Sequence, residues 1–314
     1  MNGTPARMAR VRPRLHTTLL WLLLLMPMMA KAESPFVLLS DSDGSYNGML
    51  RALTEQHNGQ LESEVLSDQT PSDHPFTLAV GSRACEAVIR LISAENYAMC
   101  VFLPAQTFAD LTASPKGQRL LGERRLSAIY LDQPLTRQML LAKMLKPRMQ
   151  TIGTVLGPGS DRQASHFTSA ANILGLTPLI GRLEDSENPV RELTPVIEES
   201  DVFLPLPDSS VFNRASAKWI LYLTLRNRIP LIGFSASYAY AGAVVAVHSN
   251  VEQIAQQAMN ILNHRVLGDA LPAPAYPDDF SITVNETAAR NLGLTLAPSD
   301  ALVMELKRRE RTIQ

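Results

Sequence analysis

Short apolar runs alternate with amphipathic stretches along most of the chain, and this alternation narrows the fold more than any other feature. A chain that repeats strand and then helix builds parallel sheets, because parallel neighbours need a crossover and the crossover helices cover the sheet faces. Residues 36–40, 61–66, 76–80, 99–103 and 126–131 read as strands. Between them, 46–57 and 82–93 carry helical spacing, through Met49, Leu50 and Leu53 and then through Val88, Ile89 and Ile92.

A second series begins after Asp132-Gln133-Pro134. Helix 135–145 leads to strand 151–156, and the turn Gly157-Pro158-Gly159-Ser160 opens helix 161–174. Strand 178–183, helix 189–199, strand 202–206, helix 209–227 and strand 230–234 follow. Each strand ends in turn or capping residues that start a helix, as a doubly wound sheet requires. The remainder is strand 244–248, helix 251–267, a proline-rich passage 271–277, strand 280–284 and a capped helix 285–292. These pieces are too few for a third domain, so the chain is expected to cross back to the first lobe and return. The expected class is therefore α/β, with two Rossmann-like lobes of parallel sheet joined by a hinge of several crossings. Lobe one takes 33–131 plus about 244–277, and lobe two takes 132–243 plus about 278–314. The basic stretch 305–311 reads as a solvated helix end favoured by the helix dipole.

Residues 1–32 read as a secretory signal peptide. Arg7, Arg10, Arg12 and Arg14 precede an apolar stretch, residues 19–30, and Ala30-Lys31-Ala32 is a small-x-small cleavage pattern. The apolar stretch is short for a membrane span and Pro27 interrupts it, so cleavage is favoured over an uncleaved anchor. The expected product is exported by the Sec route and soluble in the periplasm. Removing these residues takes away five basic groups and no acid, which moves the net charge from −1 to −6. A mildly acidic product excludes a nucleic-acid binder relying on bulk positive charge.

Two cysteines, Cys85 and Cys100, leave two readings open. In an oxidising compartment an even pair suggests a disulfide, whereas their apolar surroundings suit two buried thiols equally.

Strong catalytic signatures are missing. The sequence has no phosphate loop, His-Glu-x-x-His, Cys-x-x-Cys or Gly-x-Ser-x-Gly. Asp41-Ser42-Asp43-Gly44-Ser45 begins like a calcium loop, but Ala52 stands at the twelfth position, so a capping loop is expected instead. Among the histidines, only His248 ends a strand in a way that faces a cleft. We expect no enzyme, no cofactor and no metal. An exported hydrolase built on His248 or a strand-end serine is the disfavoured third reading.

In open α/β sheets, ligands bind beyond the carboxyl ends of strands, where helix N-termini present unpaired N–H groups. Ser42, Ser82, Asp132, Ser160, Asp208, Ser235 and Tyr238 occupy such positions and are the candidate ligand residues. Ser82 and Ser160 are candidates to donate to a carboxylate and Asp208 to accept from an amine, while simple N-capping explains each serine individually. Tyr238 and Tyr240 are candidates to wall the cleft.

The second half resembles the substrate-binding proteins of ABC transporters in the family named for tryptophan and tyrosine uptake. The resemblance rests on seven blocks in order: 128–134, 152–158, 204–208, 229–233, 240–243, 280–285 and 288–294. It implies the type I periplasmic-binding-protein fold, a small amino-acid-like or other solute held between two lobes, an inner-membrane ABC permease as partner and a monomer. The first lobe departs from the family pattern: 104–110 is shorter than the usual ligand-side loop and 41–46 lacks the usual His-Pro type of sequence. That departure motivates an alternative, a ligand-poor periplasmic sensor or accessory protein that binds a membrane partner.

Overall fold

The computed structural model describes Gly3 and residues 34–57, 59–67, 74–183, 189–208, 210–263 and 270–313. Apart from Gly3, the expected signal peptide lies outside these residues, as does His264 with the end of the expected helix 251–267.

The first sheet grows from β1 (Phe36–Leu39), β2 (Ser63–Val65), β3 (Phe76–Val80), β4 (Tyr97–Leu103) and β5 (Leu126–Tyr130), all parallel in the order β2-β1-β3-β4-β5. Helix α1 (Gly44–His57) starts where Asp43 Oδ1 accepts the amides of Ser45 and Tyr46, and it buries Met49, Ala52 and Leu53 against the sheet. The other face carries α2 (Ser82–Leu91), α3 (Ala105–Thr112) and α4 (Pro115–Gly122). Helix α4 has Pro115 in its first turn and a Ser114 Oγ cap on the Gly117 amide. The sequence reading contained neither α3 nor α4. Helix α3 has little apolar periodicity, and its first amide is capped by a residue far along the chain, Asp132.

Of the two cysteine readings, the bridge is the one formed. Cys85 of α2 and Cys100 of β4 are joined at 2.06 Å, with Cα atoms 5.5 Å apart and both residues fully buried. It fastens a crossover helix to the central strands of its own sheet.

The second sheet follows from α5 (Leu135–Leu145), β6 (Thr151–Leu156), a 3-10 turn (Asp161–Gln163), α6 (Ala164–Ile173), β7 (Thr177–Arg182), α7 (Pro189–Glu199), β8 (Val202–Phe203), α8 (Arg214–Arg226), β9 (Ile232–Gly233), α9 (Ala236–Ala241) and β10 (Val245–His248). Strands β7-β6-β8 and β9-β10 are parallel, and a Phe203–Leu231 bridge joins the two groups. The chain then forms α10 (Val251–Asn263), β11 (Ser281–Val284), α11 (Glu286–Asn291) and α12 (Ser299–Glu310).

Two details correct the sequence reading. Strand β11 runs antiparallel to β10, with His248 opposite Ser281. The chain leaves β10 at its carboxyl end and re-enters the sheet at that same end, so β11 has to run backwards. The lobe boundary expected near 244 also moves, because β10 pairs with β9 and β11 in the second sheet. Only the following segment stands with the first sheet. Helix α10 packs on α1, the Leu271 amide donates to Arg124 O, and Ala275 bridges Ile129 beside β5.

Three stretches thus pass between the sheets, near 131–134, 249–250 and 276–280, and one buried polar network ties them. Gln133 Nε2 donates to Ser249 Oγ at 2.9 Å, and that hydroxyl donates to Asp279 O at 2.6 Å. Arg137 donates to Gln133 Oε1 at 2.8 Å and to Pro277 O at 3.0 Å, pairs with Glu310 at 2.6 Å, and lies 4.3 Å from the Phe280 ring centre. Burying a guanidinium is tolerable only with such complete pairing. The hinge is therefore specified by side chains that converge from four places in the sequence.

Candidate functional site

A cleft of about 650 Å³ opens where the carboxyl ends of β4 and β5 face those of β8, β9 and β10. Lobe one contributes Pro104, Ala105, Gln106, Tyr130 and Asp132, joined by Tyr276 from the returning crossing. Opposite lie Gln138, Gln163, His166, Phe234, Ser235 and His248, with Gln133 and Ser249 of the hinge network also lining the cleft. The position matches the physical expectation that side chains and helix starts, not backbone ladders, are presented at strand ends.

Asp132 is the acidic group in this wall. Its Oδ1 accepts the Ala105 amide at 2.8 Å, which caps α3. Burial raises its carboxyl above the usual range, and two backbone hydrogen bonds only partly oppose that. Beside it, the rings of Tyr130 and Tyr276 meet edge to face with centres 5.0 Å apart. Burial, with the Asp132 charge adding to it, raises both phenols, Tyr276 to about 12. Burial also lowers the His248 imidazole, so it is neutral at pH 7, and its Nε2 is 2.9 Å from Thr283 Oγ1. Gln138 donates from Nε2 to Gln133 O, while its Oε1 is buried with no partner among the described residues.

Of the seven candidates named from sequence, Asp132 and Ser235 line the cleft. The other five do not. Ser42 is exposed and its amide turns back onto Asp41 Oδ1. Ser82 follows the N-cap position of α2, which Gly81 occupies with φ +89, and the Ala84 amide is taken by Ser40 Oγ at 2.9 Å. A β-carbon on Gly81 would stand 2.5 Å from the Tyr46 ring, so that ring covers the strand ends where Ser42 and Ser82 were expected to act. Tyr46 in turn meets Phe102, which sits at φ +62 at an irregularity in β4.

Ser160 and Asp208 consume each other. Ser160 Oγ donates to Asp208 Oδ2 at 2.7 Å and accepts from the Gly157 amide, and Asp208 also takes the amide and hydroxyl of Ser210. Burial opposes ionisation of Asp208, but these hydrogen bonds prevail and hold it below the usual carboxylate range. Its acceptor capacity is spent inside the protein. Tyr238 lies behind the cleft against Phe234, with its hydroxyl buried and without a partner among the described residues and its phenol raised by burial to about 12. Tyr240 is exposed away from the cleft.

Sequence reasoning did not name Tyr130, Tyr276, Phe234, His166, Gln106, Gln138 or Gln163 as cleft residues. Tyr276 had one available signal, an aromatic residue inside the proline-rich crossing. The glutamines had none, since their placement depends on how the two lobes face each other. At the mouth, Arg162 from the 3-10 turn pairs with Asp110 of α3 at 2.6 Å, an exposed ion pair that links the two sides of the cleft.

No family model matches the chain, and no curated protein matches it. Solved structures do. The ligand-free, open form of a substrate-binding protein with adhesive properties from Clostridium difficile superposes with a TM-score of 0.65 at 16% identity, covering 86% of this chain and 98% of that one. A conserved domain protein from Vibrio cholerae O1 biovar El Tor gives 0.59 at 16% identity, over 87% and 98%. An ABC domain in complex with L-Trp from Streptococcus pneumoniae gives 0.57 at 13% identity, over 84% and 96%. The chain has the type I periplasmic-binding-protein fold. That fold accounts for the three crossings and for a cleft bounded by the strand ends of both lobes.

Proposed function

We propose that the chain is an exported solute-binding protein that captures a small molecule between its lobes and delivers it to an inner-membrane ABC permease. The observation that carries this reading is the cleft itself, which is open, bounded by both lobes and floored by the hinge network. Closing on a solute at such a place couples binding to hinge motion, the event a permease can sense. The substrate-binding protein from Clostridium and the L-Trp complex from Streptococcus, which share the fold, support the same role. Export is supported by residues 1–32 and by a buried disulfide, which suits an oxidising compartment. In this reading the protein is a free periplasmic monomer after cleavage; among the described residues no helix is long and apolar enough to cross a membrane. On the same reading it acts without catalysis: the His248 ring meets the hydroxyl of Thr283, a residue that stands opposite Ala246 in the ladder.

A ligand-poor sensor or accessory protein is the second reading, favoured by Tyr46 and Phe102 covering the ends of β1 and β3. The volume beside Asp132 weighs against it. A metabolite-library thermal-shift screen separates the two. A captured solute present at a hundred times its Kd adds about 2.7 kcal/mol to stability. A library in which nothing raises the melting temperature overturns the solute-binding role.

A further inference from the structure

The cleft offers a carboxylate but no cationic side chain. Among its described lining residues there is no lysine or arginine, and the Arg162 guanidinium at the mouth is paired with Asp110. Some of the backbone amides at the strand ends are engaged as well. Asp132 holds that of Ala105, Ser235 Oγ holds that of Tyr238, and Ser40 holds that of Ala84 beneath the Tyr46 ring. Three glutamine side chains in the wall likewise direct Nε2 into the protein: Gln106 to Asp110, Gln133 to Ser249 and Gln138 to the Gln133 carbonyl.

What remains is complementary to positive charge. Asp132 has no salt-bridge partner among the described residues. The edge-to-face rings of Tyr130 and Tyr276 stand on the same side, and the faces of such rings attract cations. An ammonium group placed here pairs with the Asp132 carboxylate. A carboxylate placed here faces Asp132 with no counter-charge.

We infer that the cleft selects a protonated amine on an apolar or aromatic body, and that it offers a ligand carboxylate no cationic partner. This rests on the solute-binding reading and narrows it, since it sets the ligand apart from amino acids. The charge-assisted contact is worth about 10- to 100-fold in affinity over an uncharged isostere.

The test is calorimetric titration of the exported protein, purified and stripped of solute, with two sets of four congeners. One set is tryptamine, tryptophol, indole-3-acetate and L-tryptophan. The other is n-hexylamine, n-hexanol, hexanoate and norleucine. The expected result is that the amine binds about 10- to 100-fold tighter than the alcohol of its set, that the acid binds weaker still, and that adding an α-carboxylate to the amine brings no gain. Asp132→Asn retains the acceptor for the Ala105 amide, so it keeps the fold. It lowers amine affinity by that same factor while leaving the alcohol unchanged. Tyr276→Leu weakens the amine more than the alcohol.

An acid or amino acid binding as well as the amine, or an amine indifferent to Asp132→Asn, overturns the charge preference and leaves the solute-binding role standing. If neither set binds, the library screen decides. A cationic hit weakened by Asp132→Asn upholds the inference, a neutral or anionic hit overturns it alone, and a silent library overturns the solute-binding role with it.

Discussion

Replacing both Cys85 and Cys100 by alanine, or reducing their bridge, is expected to destabilise the first lobe by an amount the chain topology sets. The bridge closes a loop with a sequence separation of 15. Closing a loop of that length in the unfolded chain stabilises the native state by about 3 kcal/mol in the chain-entropy picture. Both residues are fully buried between α2 and β4, so alanine also removes two sulfur atoms from a packed cluster containing Val88, Ile89 and Leu103. For a domain of this size, each kcal/mol shifts the melting temperature by about 2–4 °C, which gives a fall of about 6–12 °C. The assay is calorimetric melting of wild type, wild type incubated with reductant, and the double alanine variant. The reduced wild type isolates the chain-entropy part, because its sulfur atoms stay in place. Melting curves that coincide with and without reductant, after mass spectrometry confirms two free thiols, refute the loop-closure reasoning.

Three further outcomes follow from the hinge and the cleft. Arg137→Met leaves Glu310 poorly solvated and unpaired, costing about 3 kcal/mol in urea unfolding; a cost below about 1 kcal/mol contradicts the hinge network as a structural clasp. Asp132 has a raised carboxyl in the fold, so the native state holds its proton more firmly than the unfolded chain, and this group favours folding at acid pH. That contribution is full below the ordinary value of 3.8 and is lost as pH rises through the raised value. Solute-free Asp132→Asn is accordingly expected to melt at or above wild type at pH 7, with the gap closing towards pH 4; a lower melting temperature at pH 7 contradicts this. Arg162→Ala removes an exposed pair worth about 1 kcal/mol or less to stability. It should nonetheless widen the solute-free protein in small-angle scattering, and an unchanged radius of gyration counts against the pair as a tie across the cleft mouth.

Much of the architecture is legible in sequence because buried parallel strands are continuous apolar runs, as in 76–80 and 151–156, both observed with those bounds. Helices α5 and α7 are also observed with the bounds read from sequence, 135–145 and 189–199. Short helices such as α3 escape because their stabilising cap is tertiary. The site is harder for the same reason. Asp132 could be named because it ends a strand at the point where the chain first crosses lobes. Ser160 and Asp208 lie outside the cleft lining and satisfy each other across 48 residues, a pairing no local pattern reveals. Ser82 failed because Tyr46, from a different helix, covers the ends of β1 and β3. Propensity and capping describe what a residue can do locally, whereas which lone pair is left over in the folded protein depends on every neighbour.

The account's central claim is that both lobes grip one small solute beside Asp132. A crystal structure of the protein purified from its own periplasm without stripping tests it most directly. The account predicts density for a solute between Tyr130, Tyr276 and Asp132 on one side and Phe234 and Ser235 on the other. A cleft closed by its own side chains, or a solute bound elsewhere on the protein, contradicts it.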